Sequence, residues 1–188
     1  DKFEPETLIT GDVFPCINES ILKQLFAEIS DHVVKVDLIR KVCENRRTAG
    51  WYKRFSNYFD CLFFIGKMQS FYQEHGGGFH IVEPKKIWNL YTSDLYRMDA
   101  YYRHFHYAFG NSLKNANDIL EDGLKHSTEF VEALYQNWFL RELTACWTNA
   151  AAEDLAALGY VSDIEKQRDF YKRYVAPASS KNTRAFVI

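Results

Sequence analysis

From Trp51 to about Glu74, Tyr52, Phe55, Phe59, Leu62, Phe63 and Phe71 recur at steps of three and four residues or their sums. A strand sends neighbouring side chains to opposite faces, so it would scatter these rings. A helix gathers them on one side. The stripe therefore predicts one long helix, and it ends at Gly76-Gly77-Gly78, where glycine accepts the left-handed turn that closes a helix. An apolar stripe this broad must be covered by other helices, so the feature constrains the whole chain toward an all-α arrangement.

The flanking sequence supplies the covering helices. Asn18 is placed to cap a helix bearing Ile21, Leu22, Leu25, Phe26 and Ile29. A short helix is expected around residues 37–45, with Leu38, Ile39 and Val42 on one side. Pro84 suits the first turn of another, running to Phe109 with a break near Ser93. A helical stretch over residues 116–125 follows. Thr128 then begins a long helix through Tyr135, Trp138, Phe139, Leu143 and Trp147, with an Ala-rich extension to Leu158. Ser162 caps a last helix, which Pro177 stops. The expected fold is an all-α multi-helix bundle of about five to seven helices. Residues 1–17 read as an irregular lead-in, 18–176 as the helical domain and 177–188 as a linker and the start of a further domain. The terminal run Ala185-Phe186-Val187-Ile188 has the composition of a buried strand. A lone strand is not stable, so the chain is expected to be a piece cut from a longer protein.

The formal net charge of the 188 residues is -2, which sets up no global field for nucleic acid or membrane. The charge is uneven, however. Arg40, Lys41, Arg46, Arg47, Lys53 and Arg54 form one basic segment, and Lys166, Arg168, Lys172, Arg173, Lys181 and Arg184 form another. Trp51-Tyr52-Lys53-Arg54-Phe55 interleaves rings with cations, the mixture that binds single-stranded nucleic acid by stacking and phosphate pairing. The candidate nucleic-acid or partner contacts are Arg46, Arg47, Lys53, Arg54, Arg168, Lys172 and Arg173. Cys43, Cys61 and Cys146 fall among apolar residues and read as reduced core thiols, which fits a cytoplasmic protein. The run Cys61 to Gly66 is far too short to cross a bilayer.

No active site stands out. The cysteines form no C-x-x-C pair, His75 and His80 have no third ligand close in sequence, and no metal site or cofactor is assigned. Gly76-Gly77-Gly78 follows a helix and lacks the Lys-Ser/Thr of a phosphate loop. Asp99 has Arg103 four residues on, the favourable order for a helical ion pair. Arg97 and His104, six residues between them, resemble the Arg-to-His motif of the all-α HEPN ribonucleases.

Several segments in order carry a longer resemblance. They are Arg46-Arg47-Thr48-Ala49-Gly50-Trp51-Tyr52, Met98-Asp99-Ala100-Tyr101-Tyr102-Arg103-His104-Phe105, then Val131-Glu132, Tyr135, Asn137-Trp138-Phe139-Leu140, Leu143 and Trp147. Gln167-Arg168-Asp169-Phe170-Tyr171-Lys172-Arg173-Tyr174-Val175 and the terminal Arg184-Ala185-Phe186-Val187-Ile188 complete the set. Together they resemble the PglZ family of the BREX phage-exclusion systems, in its helical middle region. The resemblance implies a following alkaline-phosphatase-like domain that binds a divalent metal such as zinc. It also implies a bacterial antiphage role as a phosphatase or phosphodiesterase. None of that family's metal ligands or its nucleophile maps onto this chain. The implied partners are the downstream catalytic domain and other BREX components, with nucleic acid as an alternative and no membrane.

Overall fold

The computed structural model describes residues 4–179. The described residues form helices throughout, joined by turns: α1 (Pro5–Leu8), α2 (Cys16–Ser30), α3 (Val36–Arg46), α4 (Tyr52–His75), α5 (Pro84–Leu90), α6 (Tyr96–Ser112), α7 (Asp118–Glu132), α8 (Arg141–Leu158) and a terminal turn α9 (Ala176–Ser179). The all-α bundle expected from the aromatic stripe is the fold observed. The expected strand at 185–188, with Lys181 and Arg184, lies outside the described residues.

Helix α4 is the axis of the bundle. It packs on α2, α3, α6 and α7, and Phe55, Phe59, Cys61, Leu62, Ile65, Met68 and Phe71 are almost wholly buried. Each such ring or branched side chain contributes about 1.5–3 kcal/mol of transfer free energy. Gly66 lets α3 approach α4. A Cβ placed there would lie 2.9 Å from Ile39 Cγ2, inside ordinary contact distance.

Two long rods cross the bundle, and each changes pitch partway. Between α5 and α6 the residues Tyr91–Leu95 form a wider π-helical turn, and between α7 and α8 the residues Ala133–Leu140 form another. At the first, Thr92 and Ser93 hydroxyls donate to backbone carbonyls of Trp88, Asn89 and Leu90, which loosens the α ladder there. The break expected near Ser93 is this turn.

Other local expectations are corrected. Helix α2 starts a turn earlier than expected, so Asn18 is not its cap. It is buried inside the helix and accepts from Arg46 Nε at 2.8 Å. Part of the expected irregular lead-in is the helical turn α1, which begins on Pro5. Helix α6 does not end at Phe109 but continues through Gly110 and Asn111 to Ser112. Asn117 is a true cap of α7, its Oδ1 accepting from Ile119 N at 3.0 Å. Thr128 starts nothing. Its hydroxyl donates to Lys125 O within a helix that runs on unbroken. Ser162 donates instead to Asp154 Oδ2, and the expected last helix begins only at Gln167, as a 3-10 turn (Gln167–Asp169) followed by a π-helical turn (Tyr171–Val175) that leads into α9. Pro177 does not stop the chain's last helical stretch, since α9 follows directly on the π-helical turn Tyr171–Val175 and runs through Pro177 to Ser179.

Candidate functional site

A polar cluster lies where these two π-helical turns meet α6. Asp99, on α6, accepts from Tyr91 Oη on one side and Tyr135 Oη on the other, both at 2.6 Å. One turn further along α6, Tyr102 Oη donates to Glu132 Oε1 at 2.9 Å, and His106 Nε2 lies 3.1 Å from the same oxygen. The Tyr102 and Tyr135 rings stack at 3.8 Å and 10°. The result is a seam of carboxylates and phenols that fixes α6 against the second rod. The ion pair expected between Asp99 and Arg103 is not formed, because two phenols occupy the carboxylate. Arg103 instead reaches its backbone carbonyl from an exposed position.

The three phenols of the seam are held in their protonated form. Its hydrogen bond to Asp99, then burial, raises the Tyr91 pKa. Burial first and the Asp99 bond second raise that of Tyr135, and burial and Glu132 raise that of Tyr102. Phenols that ionise above their usual value of about 10 stay protonated donors. They act as ties rather than bases. The sign of the pH dependence follows. A phenol whose folded pKa is raised contributes stability that is whole below about pH 10 and is lost as pH climbs through the folded value. Cys43, pushed up by burial to about 12, and Cys61 and Tyr58, also raised by burial, act in the same direction. Urea midpoints measured from about pH 8 to about pH 11 should therefore fall steeply above about pH 10. Tyr135→Phe should start lower and fall less, and an equal slope in that variant would refute the assignment to the seam.

Beside the seam, Ile87, Trp88, Tyr91, Leu143, Thr144 and Trp147 line an apolar groove of about 280 Å³ between α5 and α8. Tyr91 joins the two features, since its ring lines the groove while its hydroxyl holds Asp99. Sequence reading picked out Asp99, Tyr102, Glu132, Tyr135 and Trp147 as motif residues but not their pairing. That pairing depends on the π-helical turns, which shift the register of each rod.

The candidate contact residues meet different fates. Arg46 is corrected outright. It is 1% exposed, and its guanidinium donates to Asn18 Oδ1 and to the carbonyls of Ile9 and Gly11. Burial pulls its pKa down, with Asp12 opposing. It is a structural clip rather than a surface cation. Arg47, Lys53 and Arg54 are exposed on the α3–α4 edge. Arg168, Lys172 and Arg173 are exposed at the other basic segment, where Arg173 is paired with Glu165 at 2.9 Å. The short turns carrying them pack chiefly on one another and are tied to α5 by Lys85, which donates to Asp163 O. Among the described residues, these turns make no extensive packing contact with α3 or α4.

The ribonuclease pair is likewise not assembled. Arg97 is held by Asp94 and Glu74 and lies 5.5 Å from the Phe71 ring centre. His104 stacks on Phe64 at 5.0 Å. Seven residues along a helix place them about 10 Å apart along its axis. His75 faces Asp94 at 3.1 Å, while His80 Nε2 donates to Gly77 O, so they do not share a centre. Among the described residues no three His, Cys, Asp or Glu side chains are grouped to hold a metal ion. The four cysteines are free, with Cys43, Cys61 and Cys146 buried.

No family model matches the chain, and no solved structure matches it. It is 27% identical over 191 residues to the alkaline phosphatase-like protein PglZ of Bacillus cereus strain H3081.97, covering 98% of this chain and 21% of that protein. It is 26% identical over 197 residues to the alkaline phosphatase-like protein BrxZ of Escherichia coli O9:H4 strain HS, covering 100% of this chain and 22% of that protein. The chain thus spans about a fifth of the length of these curated relatives. The chain is similar from end to end to two alkaline phosphatase-like proteins, PglZ and BrxZ.

Proposed function

We propose that this chain is a non-catalytic helical scaffold of a larger PglZ-type phosphatase or phosphodiesterase acting in bacterial antiphage defence in the cytoplasm. The observation that carries the reading is the match along the whole chain to about a fifth of two alkaline phosphatase-like proteins. The site chemistry supports it. Asp99 and Glu132 are engaged by phenols and a histidine of neighbouring helices, so they serve to fix helix positions. The residues described do not fit a metal centre. The divalent metal, zinc or another, would be held by the catalytic domain elsewhere in the protein and would there activate a nucleophile on phosphorus. Among the described residues no helix is long and apolar enough to cross a membrane.

The partners in this reading are the catalytic domain of the same protein and other components of a BREX system. The groove at Trp88 and Trp147 offers them an apolar contact. Hydrolysis of bis(p-nitrophenyl) phosphate with added manganese or zinc tests the assignment. Turnover is expected from the complete protein and none from the 188-residue chain. Metal-dependent turnover by the 188-residue chain alone would overturn it. Co-purification of this chain with the rest of the protein, supplied as a separate chain, tests the scaffold role, which fails if the two do not associate.

A second reading, nucleic-acid contact, is favoured by one observation. Arg47, Lys53, Arg54 and Lys67 are all exposed along the edge formed by α3 and α4.

A further inference from the structure

We propose that the cleft between α3 and α4 binds single-stranded nucleic acid. Its phosphates would be held by Arg40, Arg47 and Lys67, with a base seated against Phe63. The proposal rests on the nucleic-acid reading, not on the scaffold reading. The cleft encloses about 240 Å³, less than a drug-sized pocket of about 300–1,000 Å³, so it suits one planar ring rather than a whole nucleotide. Val36, Ile39, Phe63 and Gly66 give it an apolar floor, and Asp37, Arg40, Lys67 and Ser70 give it a polar rim in which the two cations outnumber the one carboxylate.

The helical period explains why these groups meet. Phe63, Gly66, Lys67 and Ser70 recur at steps of three and four on α4, facing Val36 and Arg40 one turn apart on α3. The Arg47 guanidinium lies 5.1 Å from the Phe63 ring centre and the Lys67 ammonium 5.3 Å from it. A ring flanked by two cations is the pairing of stacking platform and phosphate clamp that single strands use. These cations are only lightly committed. Arg40 pairs with Asp37 at 2.8 Å, but the two side chains are 63% and 90% exposed, and a pair so exposed is easily exchanged. Arg47 is the most engaged of the three, hydrogen-bonded to Tyr52 and drawn to Asp60. Lys67 has no carboxylate within ion-pairing distance among the described residues.

The track continues along α4. Lys53, Asp60, Phe63 and Lys67 share one stripe, and the rise of a helix puts Lys53 about 21 Å from Lys67. That length suits a strand of several nucleotides, within the range of about 4–16 per site seen for such proteins. An acidic peptide would use the cations and leave the aromatic floor empty, which is why the base-bearing ligand is preferred.

The test is fluorescence anisotropy of a labelled oligothymidylate of about 15 nucleotides with the 188-residue chain, across a salt series. Affinity should fall steeply with salt. Arg40→Ala with Lys67→Ala should weaken binding at least about tenfold and flatten the salt slope. Phe63→Leu should weaken it about tenfold with the slope unchanged, and Lys23→Ala on α2 should leave it as it was. Far-UV circular dichroism confirms that each variant is folded, and Lys67→Glu provides a second charge variant. Binding that ignores the Arg40 and Lys67 changes overturns this site while the nucleic-acid reading stands. No binding at low salt overturns both. Equal competition by polyglutamate, with Phe63→Leu silent, makes the cleft an acidic-peptide site and overturns the proposal.

Discussion

Arg46→Ala should destabilise the chain by about 3–5 kcal/mol, the range for removing one partner from a buried charged network. At this chain length that corresponds to a fall of about 10 °C in melting temperature. The side chain spans three pieces of backbone. Its Nε donates to Asn18 Oδ1 on α2, and its Nη1 donates to the carbonyls of Ile9 and Gly11. Its Nη2 faces Asp12 at 3.8 Å, and Asp12 accepts from Gly50 N at 3.1 Å. Alanine would leave an amide oxygen and two carbonyls without their donor in a place water barely reaches, and would empty a large volume. Arg46→Lys should recover only part of the loss, since one ammonium cannot follow three diverging acceptors. Urea unfolding measures the loss, and limited proteolysis locates it. Residues 9–12 should become cleavable while α4 and α6 stay protected. A loss below about 1 kcal/mol would mean that the clip contributes no more than an ordinary surface pair.

Arg46 also shows where the sequence stopped being readable. Its neighbours Arg40, Lys41 and Arg47 suggest a solvated basic face. Position 46 lies on the same side as Leu38, Ile39, Val42 and Cys43, so periodicity alone pointed inward. The charge outweighed that signal because lysine and arginine are almost never fully buried without partners. The partners are 28 to 37 residues away, in a segment with no pattern of its own. The long helix α4 was legible almost to the residue, because its stripe is strong and local. The rod from Asp118 through Leu158 was divided at Thr128, because a threonine hydroxyl fits a helix cap as well as it fits a bond to the preceding turn. The seam could not be read in advance. Asp99 has a good local partner in Arg103, and nothing local says that Tyr91 and Tyr135 will outcompete it once the π-helical turns aim both hydroxyls at one carboxylate.

Phe139→Ala should cost about 3–5 kcal/mol, as for other buried phenylalanines cut back to a methyl group. The ring is fully buried at the centre of the aromatic cluster. It meets Phe71 of α4 edge-on at 5.9 Å, Phe79 of the glycine-rich connection edge-on at 6.1 Å, and Tyr135 at 5.8 Å. Such pairs add to the area term, so the site cannot collapse cheaply around a cavity. The loss should also spread. Phe139 lies in the same π-helical turn as Tyr135, and without the ring that turn is free to relax to ordinary α pitch. Relaxation would carry the Tyr135 hydroxyl away from Asp99. Phe139→Leu separates the two effects, because it nearly conserves volume and should cost under about 1.5 kcal/mol while keeping the turn packed. If the π-helical turn holds the seam, Phe139→Ala will lose stability at neutral pH and also part of its alkaline decline, as Tyr135→Phe does, and Phe139→Leu will keep that decline. If Phe139→Ala keeps the full alkaline decline, the seam stands without the aromatic cluster, and the fixed position of α6 against the second rod comes from the phenol–carboxylate hydrogen bonds themselves.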